Sequence, residues 1–318
     1  MKRVMLTIAY DGTQYVGWQM QPNGTAVEEI LNKELSSLLN ENIVIAGASR
    51  TDSGVHALGN VAVFDTESRI PAGKICFALN QRLPEDIVIR DSREVPPDFH
   101  PRYAACTKTY EYHIYNNIHP NPIKRRYSYF VYAPLDIDAM RKAAEYIIGE
   151  HDFASFCSAH AQVKTTVRTI YSLDIFAKEE EASGFETEKT SEVTTEEAKF
   201  RADRTEVSLD KNSLVTGEGY HLTVDVGNER NNKVEKQIRT YNASDIIIRI
   251  SGNGFLYNMV RIIVGTLCKV GYHFYPPEHV KEIIEGCDRN LAGPKAPAQG
   301  LTLVKIDYPD LDTVTYPI

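Results

Sequence analysis

The chain has 318 residues, 42% of them hydrophobic, and a formal net charge of −8, enough length and apolar content for packed cores and, by size, for two domains. No run of about 18 apolar residues occurs, which excludes a membrane-spanning helix, and the N-terminal Met1-Lys2-Arg3 stretch carries no small-residue cleavage site, so no secretory leader is expected. The acidic balance argues against a generic nucleic-acid binder, and five widely spaced cysteines without a Cys-x-x-Cys pair point to reduced thiols in a cytoplasm rather than to disulfides or a metal site.

A strand is predicted over 3–10. A helix near 26–39 follows, opened by a capping box at Thr25-Ala26-Val27-Glu28, with Val27, Ile30, Leu31, Leu35, Leu38 and Leu39 on its apolar face. Ile43-Val44-Ile45-Ala46 and Val61-Ala62-Val63-Phe64 read as strands, and the loop between them carries Ser49-Arg50-Thr51-Asp52-Ser53-Gly54-Val55-His56-Ala57. Residues i and i+2 of extended backbone point to the same side, so Arg50 and Asp52 project together into one cleft. An arginine beside a carboxylate keeps it ionised, which suits a nucleophile or base rather than a general acid. Gly54 leaves room for a bulky ligand or an unusual dihedral. Two other readings compete. One is a turn with a surface ion pair. The other is an aspartic-protease Asp-Ser-Gly motif, which needs a second carboxylate sharing the proton; this chain has no second Asp-Ser-Gly or Asp-Thr-Gly, although a dimer could supply one.

A helix over 71–81 starts at Pro71 in its first turn, and a strand over 86–95 ends at Pro96-Pro97. Alternating Tyr110, Tyr112 and Ile114 predict a strand. A helix over 135–148 is stopped by Gly149. Strands over 167–177 and 245–251 pair, helices follow near 255–270 and 277–286, and a last strand covers 301–307. Two similar α/β halves facing one another imply a ligand cleft between them. Residues 178–240 stand apart: they hold 15 acids and 10 bases and are rich in Glu, Thr, Ser and Asn, a composition that reads as flexible, apart from the strand-like Tyr220-His221-Leu222-Thr223-Val224-Asp225-Val226. The remaining chain is close to neutral, with 28 acids and 25 bases. Its bases gather at Lys124-Arg125-Arg126 and recur at Lys108, Lys164 and Arg168. A local basic cleft on a near-neutral body can bind RNA; the same run also reads as a solvated loop.

The loop around Asp52 resembles the signature Gly/Ser-Arg-Thr-Asp-Ala/Ser-Gly-Val-His-Ala of the pseudouridine synthase I family. Six further stretches resemble that family in order: Ile8-Ala9-Tyr10-Asp11-Gly12-Thr13 with Val16-Gly17-Trp18-Gln19; 78–87; Phe99-His100-Pro101-Arg102; Lys108-Thr109-Tyr110-Glu111-Tyr112; Gly149-Glu150-His151-Asp152-Phe153-Ala154-Ser155-Phe156; and Phe255-Leu256-Tyr257-Asn258-Met259-Val260-Arg261 with Ile263-Val264-Gly265. They span almost the whole chain except 178–240. Ser49 stands where the family more often has glycine.

The resemblance implies an α+β fold of two α/β domains with antiparallel sheets related by a pseudo-two-fold, the active-site cleft lying between them. The domains would be 1–102, with the Asp52 loop, and 103–318, with an insertion at about 178–240 in place of a short hairpin turn. It implies a homodimer, and isomerisation of uridines 38, 39 and 40 in the tRNA anticodon arm. That reaction breaks the N1–C1′ bond, turns the base and rejoins it through C5, so it needs neither cofactor nor metal, but it does need an extruded base in a stacking pocket. By the resemblance Asp52 is the essential carboxylate, attacking C1′ or C6 or removing a ribose proton. Tyr110 stacks on the uracil and can handle the C5 proton; as a strand aromatic it also reads as core. Arg261, on an apolar helix, needs a partner if buried, and Asp52 is the one named. Arg50 lies on the RNA side, Arg102 is a phosphate contact, and His56, Leu256 and Met259 are structural. The competing function is a non-catalytic RNA-binding module on the same fold, against which the presence of Asp52, Tyr110 and Arg261 argues.

Overall fold

A computed structural model describes residues 1–158, 163–179, 215–216, 219–224, 237–241, 244–309 and 311. The first hundred residues give β1 (Lys2–Tyr10), α1 (Val27–Leu39), β2 (Ala46–Gly47), β3 (His56–Thr66), α2 (Ala72–Asn80) and β4 (Ile87–Val95). Then come β5 (Thr107–Asn116), β6 (Tyr129–Val131), α3 (Ile137–Glu145), β7 (Gly149–Asp152) and β8 (Val167–Glu179). After these the chain forms β9 (Val215–Thr216), β10 (Gly219–Val224), β11 (Gln237–Tyr241), β12 (Ser244–Gly252), α4 (Met259–Gly271), α5 (His279–Gly286) and β13 (Leu301–Asp307).

The periodic segments fold as their patterns dictate. Val27, Leu31, Leu35 and Leu39 recur every four residues on α1 and are buried. Ile246, Ile248 and Ile250 recur every second residue on β12 and are buried, with the residues between them partly exposed. The boundaries depart from expectation at three helices. Ala26 is the N-cap of α1, and no side chain caps it, so the capping box does not form; the Glu28 carboxylate instead accepts from the Met20 N–H at 3.1 Å. Asp136 caps α3 by accepting from the Ala139 N–H at 2.9 Å, and the helix ends at Glu145, so Gly149 opens β7 rather than stopping a helix. α4 begins four residues later than its apolar run, because Asn258 adopts a left-handed backbone (φ 61°) that breaks the preceding stretch into a loop.

The sheet also differs from two antiparallel sheets. One continuous mixed sheet runs β4-β1-β3-β13-β5-β12-β8-β7, with β2 added to β3 and β6 to β5. The last strand fills the seam: β13 is parallel to β3 and antiparallel to β5. Leu303, fully buried, pairs with Ala57 on one side and Tyr110 on the other, so one residue ties the end of the Asp52 loop to the strand carrying Tyr110. α1 packs with α2, and α3 packs against α4 and β8.

β8 and β12 are antiparallel neighbours with Glu179 opposite Ser244, so the chain leaves and re-enters the main sheet at facing positions. Between them β9, β10 and β11 form a separate three-stranded sheet, and β10 covers most of the alternating run read from the sequence. The reading of the rest of 178–240 lies outside the described residues. All five cysteines are free thiols, three of them buried. Among the described residues no helix is long and apolar enough to cross a membrane.

Candidate active site

Asp52 sits in the loop between β2 and β3, held against the opening segment of the chain. Gly17 and Asp52 form an isolated antiparallel bridge, Trp18 N–H donates to Thr51 O at 3.1 Å, and Gly54 N–H to Tyr15 O at 3.4 Å. Gly17 has φ +116°, and a Cβ there would lie 2.6 Å from Thr51 O, so only glycine permits the contact. Gly54 takes the unusual dihedral expected of it, φ +77°. Beneath the loop, Tyr10 OH and Thr51 Oγ1 are 2.7 Å apart, and Asn60 Nδ2 donates to Ser49 O at 3.1 Å.

Arg50 does not pair with Asp52. It is exposed, and Asp52 meets Arg261 instead, Nη1 to Oδ2 at 3.3 Å. Arg50 and Asp52 still line the same cleft, as their i,i+2 spacing predicts; what the structure does not form is an ion pair between them. Arg261 is 8% exposed and held by two more bonds: Nη1 also donates to Asn258 Oδ1 at 3.0 Å and Nε to Ala296 O at 2.8 Å. Asn258 Nδ2 in turn donates to Ser158 Oγ at 2.9 Å. Burial pushes the Asp52 carboxyl above the usual aspartate value, against the opposing charges of Arg261 and, further off, Lys295. The ion pair therefore offsets a desolvation penalty rather than producing an unusually acidic group.

Tyr110 on β5 is buried, its ring edge-on to Phe255 (centroids 5.1 Å apart, 80° between planes) and its hydroxyl 3.0 Å from Ser49 Oγ. Burial, with the nearby Asp52 charge, pushes its phenol up to about 12, so it holds its proton at neutral pH. Lys108, two residues earlier on the same face, donates to Ala48 O at 2.9 Å. His56 braces the loop: Gly12 N–H donates to Nδ1 and Nε2 donates to Arg126 O, each at 3.0 Å.

Asp52 and Tyr110 line one cleft of about 1630 Å³. Asp52, Tyr110, Arg50, Arg102, Lys108, Arg168 and Asn258 all face it; Arg261 lies just behind Asp52. Tyr103, Tyr171 and Tyr257, at least half exposed, stand at its walls, the kind of platform on which unpaired bases stack. The Lys124–Arg126 run is outside the cleft lining, and Lys124 is bound to the Asp245 carboxylate at 2.6 and 2.8 Å and lies over the Tyr115 ring. It is a strut between the turn and β12.

Sequence reasoning passed over Ser49, Asn258 and the Ala296 carbonyl. Asn258 was visible as the residue three before Arg261, but its left-handed backbone was not. The Ala296 contact is made by a main-chain atom 35 residues away, for which a sequence carries no side-chain signal.

A cleft of this composition, a half-buried carboxylate among cations and aromatic rings, suits a polyanionic substrate with flat bases. The chain belongs to the tRNA pseudouridine synthase family, whose model matches residues 6–104 and 143–309. It is 41% identical over 308 residues, 97% of this chain and all of the relative, to the tRNA pseudouridine synthase A of Ruminiclostridium cellulolyticum. It is 40% identical over the same span to that of Acetivibrio thermocellus, and 38% to that of Brevibacillus brevis.

Proposed function

We propose that the protein isomerises uridine to pseudouridine in the anticodon arm of tRNA, at positions 38 to 40, with Asp52 as the essential carboxylate. The observation that carries this reading is the placement of Asp52: a half-buried carboxylate in a cation-walled cleft, held by an arginine that is itself fixed by Asn258 and Ala296. Arg261 keeps Asp52 ionised against burial, which a nucleophile or base requires. Tyr110 presents its ring to the uracil. A phenol that stays protonated can donate a hydrogen bond to the turning base; to accept the C5 proton it would first have to ionise against burial and the Asp52 charge. Arg50, exposed and without an ion pair among the described residues, holds the extruded nucleotide from the RNA side, and Arg102 takes a phosphate. The isomerisation balances without an added group or electron, so it calls for no cofactor.

The fold reading that accompanies this function is of two α/β halves, 1–102 and 103–318, related by a pseudo-two-fold and facing one another across the cleft. It is supported by the paired helices of each half, α1 with α2 and α3 with α4, and by the seam at β13. The active species is taken to be a homodimer. Release of tritium from tRNA labelled at uridine C5 tests the function: release confined to the anticodon arm supports it, and tRNA binding without release returns the protein to the class of non-catalytic RNA-binding modules.

A further inference from the structure

Three cations on the cleft walls have no counter-ion. Arg102 Nη2 donates to Gly47 O at 3.2 Å and Lys108 Nζ to Ala48 O at 2.9 Å. Those carbonyls belong to consecutive residues leading into the Asp52 loop, so the two cations are pinned side by side. Lys108 Nζ also lies 3.5 Å from Ser49 Oγ. Arg168 lies at the start of β8, across β12 from Lys108 at the same end of the sheet, with Nη1 donating to Thr165 O at 3.0 Å and Val167 O at 2.6 Å. It flanks Gly254, where a Cβ would sit 3.6 Å from Arg168 Nε. All three line the cleft beside Tyr110, and none has an ion pair among the described residues.

Neutral carbonyls orient cations but do not cancel their charge. Gathering like charges at a partly buried site is unfavourable unless an anion joins them. The strain registers on Lys108: burial, and then the neighbouring Arg102 and Arg168 charges, hold its ammonium below the usual lysine range, with only the Cys106 thiol opposing. Arg168 is likewise lowered by burial. Other charged residues of this protein, such as Arg3 with Asp65 and Arg249 with Glu111, do have carboxylate partners.

We propose that Arg102, Lys108 and Arg168 form a subsite for a single phosphate of the RNA backbone, the one adjoining the nucleotide held over Asp52. The proposal rests on the pseudouridylation reading for the identity of that nucleotide, but not for the anion chemistry. A backbone phosphodiester is a monoanion whose two non-bridging oxygens accept donors from several directions, and charge-assisted hydrogen bonds are the strong ones. The subsite gives the enzyme a register: gripping the backbone at one linkage sets which base faces Tyr110.

The test uses the full-length protein and synthetic anticodon-arm RNAs, each with one phosphate replaced by a neutral methylphosphonate at successive linkages. Binding is measured for the wild type and for Arg168→Gln, Lys108→Gln and Arg102→Gln. In the wild type, one linkage beside the target uridine should weaken binding at least about tenfold when neutralised, the size of a lost charged hydrogen bond. In each variant the unmodified RNA should bind about as weakly, and the same methylphosphonate should then cause little further loss. The salt slope should fall by no more than roughly 0.7 to 0.9 in any variant, the share of one phosphate. Losses spread evenly over the linkages, or losses that multiply fully between RNA and protein changes, would overturn the subsite. If Lys108→Gln does not fold by circular dichroism, the two arginine variants carry the test, since both side chains reach solvent. Wild-type tritium release from the unmodified arm is measured alongside; its absence would refute the pseudouridylation reading and leave the binding result standing by itself.

Discussion

At the residue scale the site is a carboxylate made tolerable by one arginine. Asp52 lies above the usual aspartate value because burial outweighs Arg261. A raised acid pKa means the carboxylate is lost at a higher pH as acidity increases. The kcat/KM profile measured from about pH 4 to 8 should therefore fall on the acid side above the ordinary value near 3.9. Arg261→Gln removes the opposing charge and should move that limb further up; an unmoved limb would mean that another group sets it. Ser49 has a narrower role, since among the described residues its hydroxyl meets only Tyr110 OH and, more distantly, Lys108. Ser49→Ala should slow single turnover by about two- to tenfold, the worth of one hydrogen bond. In a Tyr110→Phe background it should have little further effect, whereas a general loosening of the loop would slow both backgrounds alike. The Asp52–Arg261 ion pair and the placing of Tyr110 in the same cleft as Asp52 were legible because their neighbours resemble a family signature. Arg50 and Asp52 share a cleft as their spacing implies, but the ion pair that fixes Asp52 spans 209 residues and leaves no local mark.

At the element scale, α4 and the segment after α5 position Arg261 together. Ala296 N–H donates to Arg261 O at 3.0 Å while its carbonyl accepts from Arg261 Nε. This approach is close: a Cβ on Gly265 would lie 1.7 Å from Pro294 O, against backbone rather than a yielding side chain. Gly265→Ala should lower stability by about 1–3 kcal/mol, the usual range for overpacking, read as a lower urea midpoint. It should also reduce turnover by displacing Ala296 from Arg261. A variant with wild-type midpoint and rate would show that the segment is not a support. Helix and strand cores were legible from period, but not their ends. Thr25 and Glu28 have the spacing of a capping box, yet the chain enters α1 through Ala26, with Glu28 N–H bonded to Trp18 O at 3.0 Å. A tertiary contact took the donor that the local motif would have served.

At the scale of the whole molecule, a net charge of −8 conceals a cleft lined by Arg50, Arg102, Lys108 and Arg168. Counting charge along the chain located the acidic excess between 178 and 240 but could not show which bases share a wall. Nor could pattern alone place β13 at the centre of the sheet, because strand partners far apart in sequence leave no local mark; its seven residues read simply as a last strand. The β8–β12 pairing was legible, and it makes the excursion between them removable. Replacing 180–243 with Asn-Gly would join Glu179 to Ser244 by a two-residue hairpin turn. The shortened protein should fold with a cooperative melt and retain turnover on anticodon-arm uridines. A folded but inactive product would assign the excursion a part in docking or catalysis.

The most direct measurement is single turnover of C5-tritiated tRNA by Asp52→Asn beside the wild type, with binding measured in parallel. The substitution keeps the side chain's shape and removes its charge. The expected result is near-native tRNA affinity with tritium release slowed by at least about 10²–10⁴-fold, the contribution of a positioned acid–base group. Release at more than about a tenth of the wild-type rate, with binding intact, would contradict the assignment of Asp52 as the residue that performs the chemistry.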